Sequence, residues 1–150
     1  MPTYVAANQG VAIDGKPVYE ELRVKTVVAT HTLPGRLVIR DTDDGHFTLA
    51  GDNAVNVVGY IEPNPAKDSA VVPTTEDYCR IAHGSGVVVT LTAITGQTIV
   101  KGDALAPAAT GMVKSYSNTS PDPRLRVAMA ESSVTTGTLA SAPIIARMLI

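Results

Sequence analysis

Aromatic residues are scarce in this sequence: its 150 residues include no Trp and a single Phe, and the aromatic fraction is 4%. A hydrophobic core must therefore be built from Val, Ile, Leu and Ala, within a hydrophobic fraction of 45%. β-Branched aliphatic side chains favour extended backbone and pack well on pleated sheets. The length predicts one full-sized domain, with two very small domains as the alternative.

Cysteine is nearly absent as well. The single Cys79 has no partner within the chain, which excludes an internal disulfide. We expect Cys79 to be a small buried hydrophobic residue rather than a nucleophile, because free cysteine is among the most buried residue types. Stability must come from packing or assembly, and synthesis in a reducing compartment fits this composition.

The chain also lacks an excess of basic residues. Its formal net charge is −2 and its pI is near 5.8, so it has no cationic surface of the kind that neutralises nucleic-acid phosphates. No stretch approaches the roughly 20 apolar residues of a membrane span. Residues 1–10 lack the basic and apolar regions of a secretory signal. These absences predict a soluble protein that binds neither nucleic acid nor membranes.

Short aliphatic runs separated by Gly, Pro and Asp dominate the sequence and are typical of strands. Residues 41–45 end in Asp-Gly and give the strongest hairpin signal, because Asp-Gly tolerates the backbone angles of a tight turn. Many short strands with turns between them predict an all-β fold, a compact small barrel or sandwich of short antiparallel strands. The predicted strands are 24–32, 36–40, 46–50, 54–61, 70–72, 77–82, 86–92, 97–100, 112–116, 125–130 and 142–150.

The first 22 residues show little periodicity and predict an extended N-terminal arm, followed by a β domain over 23–150. The apolar residues of the arm can offset its ordering entropy only by packing on another surface. The alternative is a frayed terminus with one short strand. Pro63 and Pro65 cannot join a central sheet, since proline lacks the donor of the strand ladder. They predict a boundary between halves 23–62 and 70–150.

The two halves echo each other in sequence. Each contains a turn, a strand, a tight reversal, a strand, a loop and a third strand, in the same order and with similar spacing. Chance recurrence of Gly-bounded apolar strands is the alternative to an internal duplication. The matching segments are 35–38 with 102–105, 45–47 with 111–113, and 57–62 with 126–131.

No catalytic pattern is present in the sequence. The three histidines are too far apart for a local metal motif, and the acidic residues of 41–45 lack the later ligands of a calcium loop. Ser85 is flanked directly by glycines, whereas a nucleophile elbow places them two residues away. The aromatic and charged residues that usually line an enzyme cleft are also scarce in this sequence. We therefore predict a non-enzymatic protein with no cofactor and no metal.

A resemblance to a known family appears in the second half. Residues 92–105 and 109–113 give an apolar strand, a Gly turn, a Gly-Asp-Ala-Leu step and a Gly-containing hairpin. Residues 126–131 and 144–150 then give a strand ending in Ala-Glu and a short apolar β segment. In these features the chain resembles the small capsid decoration, or cement, proteins of tailed phages. The resemblance covers about residues 86–150, with a weaker echo over 24–62.

The resemblance implies a virion protein on the outer capsid surface, made in the host cytoplasm. Its implied partners are the major capsid protein lattice and copies of itself in a homotrimer, with the arms lying over neighbouring capsid subunits. Tyr4 and Tyr19 are the expected anchors, because aromatic residues are enriched at interfaces, and packing on their own barrel is the alternative. The candidate partner-binding residues are Pro2, Tyr4, Val5, Val11, Ile13, Val18 and Tyr19.

Two other functions remain open. A carbohydrate- or ligand-binding β module would need exposed aromatic residues or carboxylates. A different structural subunit of a phage head or tail would share the class of partner and differ in its location.

Overall fold

The computed structural model describes residues 9–28, 31–63, 73–116 and 122–150, and this part of the chain is built almost entirely of short strands. Its two short helical segments are single 3-10 turns. The predicted all-β class is confirmed. The strands are β1 (Ala12–Asp14), β2 (Val18–Val24), β3 (Leu37–Arg40), β4 (His46–Leu49), β5 (Val57–Ile61), β6 (Tyr78–His83), β7 (Val88–Ala93), β8 (Thr98–Ile99), β9 (Ala104–Pro107), β10 (Val113–Ser115), β11 (Ala128–Ala130), β12 (Val134–Thr135) and β13 (Ala142–Met148).

The first five-stranded barrel closes in the order β2-β4-β3-β5-β6. Side chains alternate across each strand, so every second residue enters the barrel interior. The bulkiest of these interior side chains are wholly buried, which fits the expected core of aliphatic residues around the single Phe. The interior residues are Leu22, Val24, Val38, Phe47, Ile61 and Ile81.

The second barrel has the order β7-β10-β9-β11-β13, and the β7–β13 pairing closes its ring. Strand β1 is added to the outer edge of β7, where Ala12 lies opposite Val89. Strands β8 and β12 form a separate two-stranded sheet. Two pairings, β2–β4 and β7–β10, are parallel, whereas the sequence predicted antiparallel strands.

The two barrels are copies of one pattern. Strands β2, β3, β4, β5 and β6 correspond in chain order to β7, β9, β10, β11 and β13, and each pairing around one ring recurs in the other. Tyr60 lies opposite Leu37 in the first barrel, and Met129 lies opposite Ala104 in the second. The remaining pairings give the same residue equivalences. The sequence echo is therefore a structural repeat, with the alignment that the sequence predicted.

Hydrogen bonds outside the strands repeat as well. The Gly35 N–H donates to the Ile61 carbonyl at 2.8 Å, and the Gly102 N–H donates to the Ala130 carbonyl at 2.8 Å. Each glycine precedes the strand β3 or β9 and has a positive φ. The duplication thus includes turns as well as strands.

The barrels divide after His83, later in the chain than the predicted boundary at 62–70. Strand β6 closes the first ring between β5 and β2, so the first barrel includes residues on both sides of the predicted boundary. Residues 64–72, including the predicted strand at 70–72, lie outside the described residues.

Within its described residues, the predicted arm contributes strand β1 and residues 18–22 of β2 to the sheets. Strand β1 pairs with β7, and β2 pairs with β6 along its length. The strand predicted over 24–32 therefore starts earlier, at Val18, and ends at Val24. Alternation explains this shift, because Leu22 and Val24 enter the barrel while Arg23 faces outward. The partners on β6 and β7 are distant in sequence, so local patterning does not reveal them.

One face of the first barrel is buried against the second. Leu37, Ala50, Tyr60 and Ala82 lie outside the first barrel's interior, and they belong to the same buried cluster as the second barrel's interior residues. Their burial makes the two barrels one continuous packing unit.

Residues 84–87 connect the barrels, and backbone contacts restrain them on two sides. The Gly84 N–H donates to the Ile150 carbonyl at 2.9 Å, and the Gly86 N–H donates to the Met148 carbonyl at 2.8 Å. On the other side, a Cβ on Gly15 would lie 3.2 Å from Val87 Cα. The β1–β2 turn and the end of β13 therefore hold the connection between them. Within the described ranges, no helix is long and apolar enough to cross a membrane.

Candidate partner-binding surfaces

Two tyrosines and two arginines stand on the outer face of β2 and β6. We name this surface the tyrosine–arginine face, and its members are Tyr19, Arg23, Tyr78 and Arg80. The Arg80 guanidinium lies 4.3 Å from the Tyr19 ring centroid, and the Arg23 guanidinium lies 4.8 Å from that of Tyr78. Tyr19 and Tyr78 keep 43% and 57% of their surface exposed. Exposed Tyr and Arg side chains are the types most enriched at binding hot spots.

Carboxylates flank the Tyr19 end of this face. Arg80 Nε lies 3.7 Å from a Glu62 carboxylate oxygen. Partial burial, with the Glu62 carboxylate as the next cause, raises the pKa of Tyr19. The phenol therefore stays protonated, and its hydroxyl is hydrogen-bonded to the Glu62 carboxylate. The stacked arginine limits the freedom of the ring, which lowers the entropy that binding would cost.

A second group of charges surrounds the Tyr78 end. Arg23 Nη2 donates to the Tyr78 hydroxyl at 2.7 Å, and Arg23 Nη1 lies 3.6 Å from Glu76. His46 Nε2 lies 3.0 Å from both Glu76 carboxylate oxygens. This hydrogen bond raises the pKa of His46 and lowers the pKa of Glu76. All four residues are surface groups, so the network orients side chains more than it stabilises the fold.

The structure places one of the sequence-predicted binding residues, Tyr19, on this face. Val18 and Tyr19 are exposed at the start of β2. Val11 is exposed just before β1, and Ile13 is half-buried within β1. Pro2, Tyr4 and Val5 lie outside the described residues. Sequence reasoning missed Arg23 and Arg80, because only the β2–β6 register brings them against the tyrosines.

A groove of about 410 Å³ opens on the second barrel. Met129 and Leu149 supply exposed apolar surface within it, each with 39% of its surface exposed. The Arg126 guanidinium covers one face of the Tyr116 ring at 4.7 Å from its centroid. The groove is lined by Gly102, Asp103, Ala104, Ser115, Tyr116, Arg126, Met129 and Leu149.

The charged groups at these surfaces occur mainly as pairs and stacked contacts. No group of three or more His, Cys, Asp or Glu side chains that could hold a metal occurs within the described residues. Asp103 in the groove accepts the Val100 N–H at 2.9 Å, which gives it a role in its own turn. Cys79 is half-buried and packs against the interior of the first barrel. The arrangement presents apolar, aromatic and paired charged groups, which is the chemistry of a protein-binding surface.

The buried polar groups lie between the barrels. Arg36 Nη1 donates to the Thr110 carbonyl at 3.1 Å and lies 3.4 Å from His31 Nδ1. Burial lowers the pKa of Arg36, and burial also raises the pKa of Tyr60. The Tyr60 hydroxyl has no hydrogen-bond partner within the described part of the chain. Arg36 and Tyr60 therefore belong to the contact between the two barrels.

Comparison with known proteins shows a similarity in structure that sequence comparison does not show. No protein-family model matches the sequence, and no curated protein matches it significantly. Among solved structures, the chain is similar to the one described as "The crystal structure of head fiber gp8.5 N base in bacteriophage phi29", with a TM-score of 0.54. The two chains are 17% identical, and the match covers 89% of this chain and 94% of that chain. At this identity the likeness establishes a shared fold that extends over nearly the whole of both chains.

Proposed function

We propose that this chain is a structural subunit of a bacteriophage head, bound to the outside of the shell through protein–protein contacts. The observation that carries the proposal is the shared fold with the phi29 head fiber base, which leaves little of either chain unmatched. The exposed, stacked Tyr and Arg side chains of the tyrosine–arginine face are compatible with a role in protein–protein contact. The resemblance of residues 86–150 to phage capsid decoration proteins supports the same class of function.

The contact with the shell is assigned to the Tyr19 end of the tyrosine–arginine face, together with the preceding apolar residues. Val11, Val18 and Tyr19 are exposed residues of the predicted binding segment, and Arg80 adds a cation stacked on the Tyr19 ring. The Tyr19 ring, restrained by the stacked Arg80, provides contact area on the outer face of β2 at low entropic cost. Val18 adds exposed apolar surface on the opposite side of the same strand. This is the part of the predicted binding segment that the structure describes.

Binding of this kind would stabilise the assembled shell by linkage. A subunit that binds only the expanded lattice lowers the free energy of that lattice relative to the unexpanded or broken one. The amount equals the difference in binding free energy between the two states. A homotrimer would place three such contacts on one particle. The effective concentration of the second and third contacts then raises avidity without strong individual contacts.

The test is co-sedimentation of the purified protein with expanded shells, built from the phage's major capsid protein and lacking this subunit. We expect Tyr19→Ser combined with Val18→Ser to reduce the bound fraction at least tenfold, while circular dichroism remains that of a β protein. Leu139→Ser is the matched control, because Leu139 is an almost fully exposed apolar residue in a different region. Equal occupancy by the double variant and the control would overturn the assignment of the surface, and no binding by the unmodified protein would overturn the function.

A further inference from the structure

The two barrels contact each other in a head-to-tail manner. The turn at Gly111, just before β10 of the second barrel, sits on the face of the first barrel that carries Leu37 and Ala50. The Gly111 N–H donates to the Ala50 carbonyl at 2.8 Å. A Cβ on Gly111 would lie 2.7 Å from the Leu37 carbonyl oxygen, so the fit leaves no room for a side chain.

Because the two barrels repeat one pattern, the turn and the face that form this contact each have an equivalent elsewhere in the chain. Both equivalents are exposed to solvent. Gly45, which precedes β4, is the equivalent of Gly111, and its φ of +75° matches the +74° of Gly111. A Cβ on Gly45 would meet nothing within 4 Å. The face of the first barrel has its equivalent in the groove, where Ala104 and Tyr116 take the places of Leu37 and Ala50.

The backbone of the groove has the same geometry as the occupied face. The Ala50 N–H donates to the Leu37 carbonyl at 2.9 Å, and the Tyr116 N–H donates to the Ala104 carbonyl at 2.8 Å. The Ala50 carbonyl then accepts the Gly111 N–H. Within the described residues, the Tyr116 carbonyl and the Gly45 N–H have no such backbone partner.

The open surfaces also differ from the occupied ones in charge. Arg126 in the groove takes the place of Val57, and Asp44 beside the turn takes the place of Thr110. Neither charged side chain forms an ion pair with a described residue. An acidic turn entering a groove that contains an arginine is electrostatically complementary, which favours correct docking.

We propose that the groove of one copy binds the Gly45 turn of a second copy, repeating between chains the contact that Gly111 makes within the chain. The contact is heterologous, so successive copies join head to tail and form a ring when the rotation closes. This inference adds the geometry of self-association to the proposed function. It is tested without any shell, so its failure leaves shell binding untouched.

The experiment is sedimentation velocity of the full chain over a range of concentrations. We expect the unmodified chain to form oligomers, and we expect Gly45→Asn to be monomeric, because a Cβ at this turn cannot fit the groove. Asparagine tolerates positive φ, so the fold is retained. Gly96→Asn is the matched control: Gly96 also has a φ of +75° and open space around its Cβ position, and this variant should associate like the unmodified chain.

A mixing experiment separates this arrangement from a symmetric one. Met129→Asp blocks the groove but leaves the Gly45 turn intact, whereas Gly45→Asn blocks the turn but leaves the groove intact. Each variant alone should be monomeric, and the mixture should form a one-to-one dimer. A monomeric unmodified chain at every concentration overturns the proposal. So does unimpaired association of Gly45→Asn, or a mixture that stays monomeric.

Discussion

The two barrels share strand order and register, yet they treat equivalent positions on their outer faces in opposite ways. Tyr60 of the first barrel is fully buried between the barrels, while its equivalent Met129 stays partly exposed in the groove. Gly111 is tightly enclosed, while its equivalent Gly45 is open. The pairing pattern therefore depends on interior residues and turns, and the outer face can specialise without changing the fold.

Among the equivalent positions, truncation of the buried Tyr60 should have the largest effect on stability. Tyr60→Ala should lower the free energy of unfolding by about 3–5 kcal/mol, because it leaves a cavity in the inter-barrel core. Met129→Ala removes a surface side chain and should cost no more than about 0.5 kcal/mol. Urea denaturation of both variants measures the difference. Similar losses at the two positions would contradict the assigned packing of the barrels.

Gly111 and Gly45 differ in the space around them, so the same substitution should have different costs. Gly111→Ala should cost about 2–5 kcal/mol, since left-handed backbone and an overpacked contact with the Leu37 carbonyl both oppose it. Gly45→Ala keeps only the backbone penalty, about 1–2 kcal/mol. Guanidinium denaturation at a concentration where both variants are monomeric provides the measurement. A larger loss at Gly45 would show that its turn is enclosed within the monomer.

The smallest expected effect is a pH dependence of stability that comes from the His46–Glu76 pair of the first barrel. His46 has its pKa raised above 6.5 by the hydrogen bond to Glu76, so its stabilisation is complete below pH 6.5 and is lost as pH rises through the raised pKa. Glu76 has its pKa lowered below 4.5, so its contribution is lost as pH falls through the lowered value. The stabilising window therefore lies between pH 4.5 and 6.5. Met112 occupies the equivalent position in the second barrel and does not titrate.

Thermal unfolding of His46→Gln across this range provides the check. The unmodified chain should unfold at a higher temperature than the variant between pH 4.5 and 6.5, and the two should converge above and below that window. Met112→Gln is the control, and its effect should not vary with pH. A constant difference between His46→Gln and the unmodified chain would mean that the ion pair does not form in solution.

Much of the fold follows from local sequence. The Asp-Gly turn at 44–45 connects β3 and β4 as predicted, and the predicted strands at 36–40, 46–50 and 142–150 overlap β3, β4 and β13. The echo between 57–62 and 126–131 gave the correct structural alignment of β5 and β11. These signals are local because turn residues and alternating side chains act within a few positions of each other.

The features that escaped prediction depend on contacts between distant residues. Strand β1 pairs with Val88 and Val89, which are distant in sequence, so the local sequence predicted an arm there. The stacking of Arg80 on Tyr19 requires the β2–β6 register, which the intervening proline-containing connection concealed. Pro63 marked a real break in the strand pattern, but the break lies within a barrel because β6 closes the ring after it.

The restrained connection at 84–87 has a mechanical consequence. Its backbone bonds to Ile150 and Met148, and the close approach of Gly15 to Val87, would all have to be broken before one barrel could swing relative to the other. Bending at this joint therefore requires local unfolding rather than rotation about a free linker. The two barrels should therefore move as one body, and a force applied to either barrel would be carried to the other without a hinge.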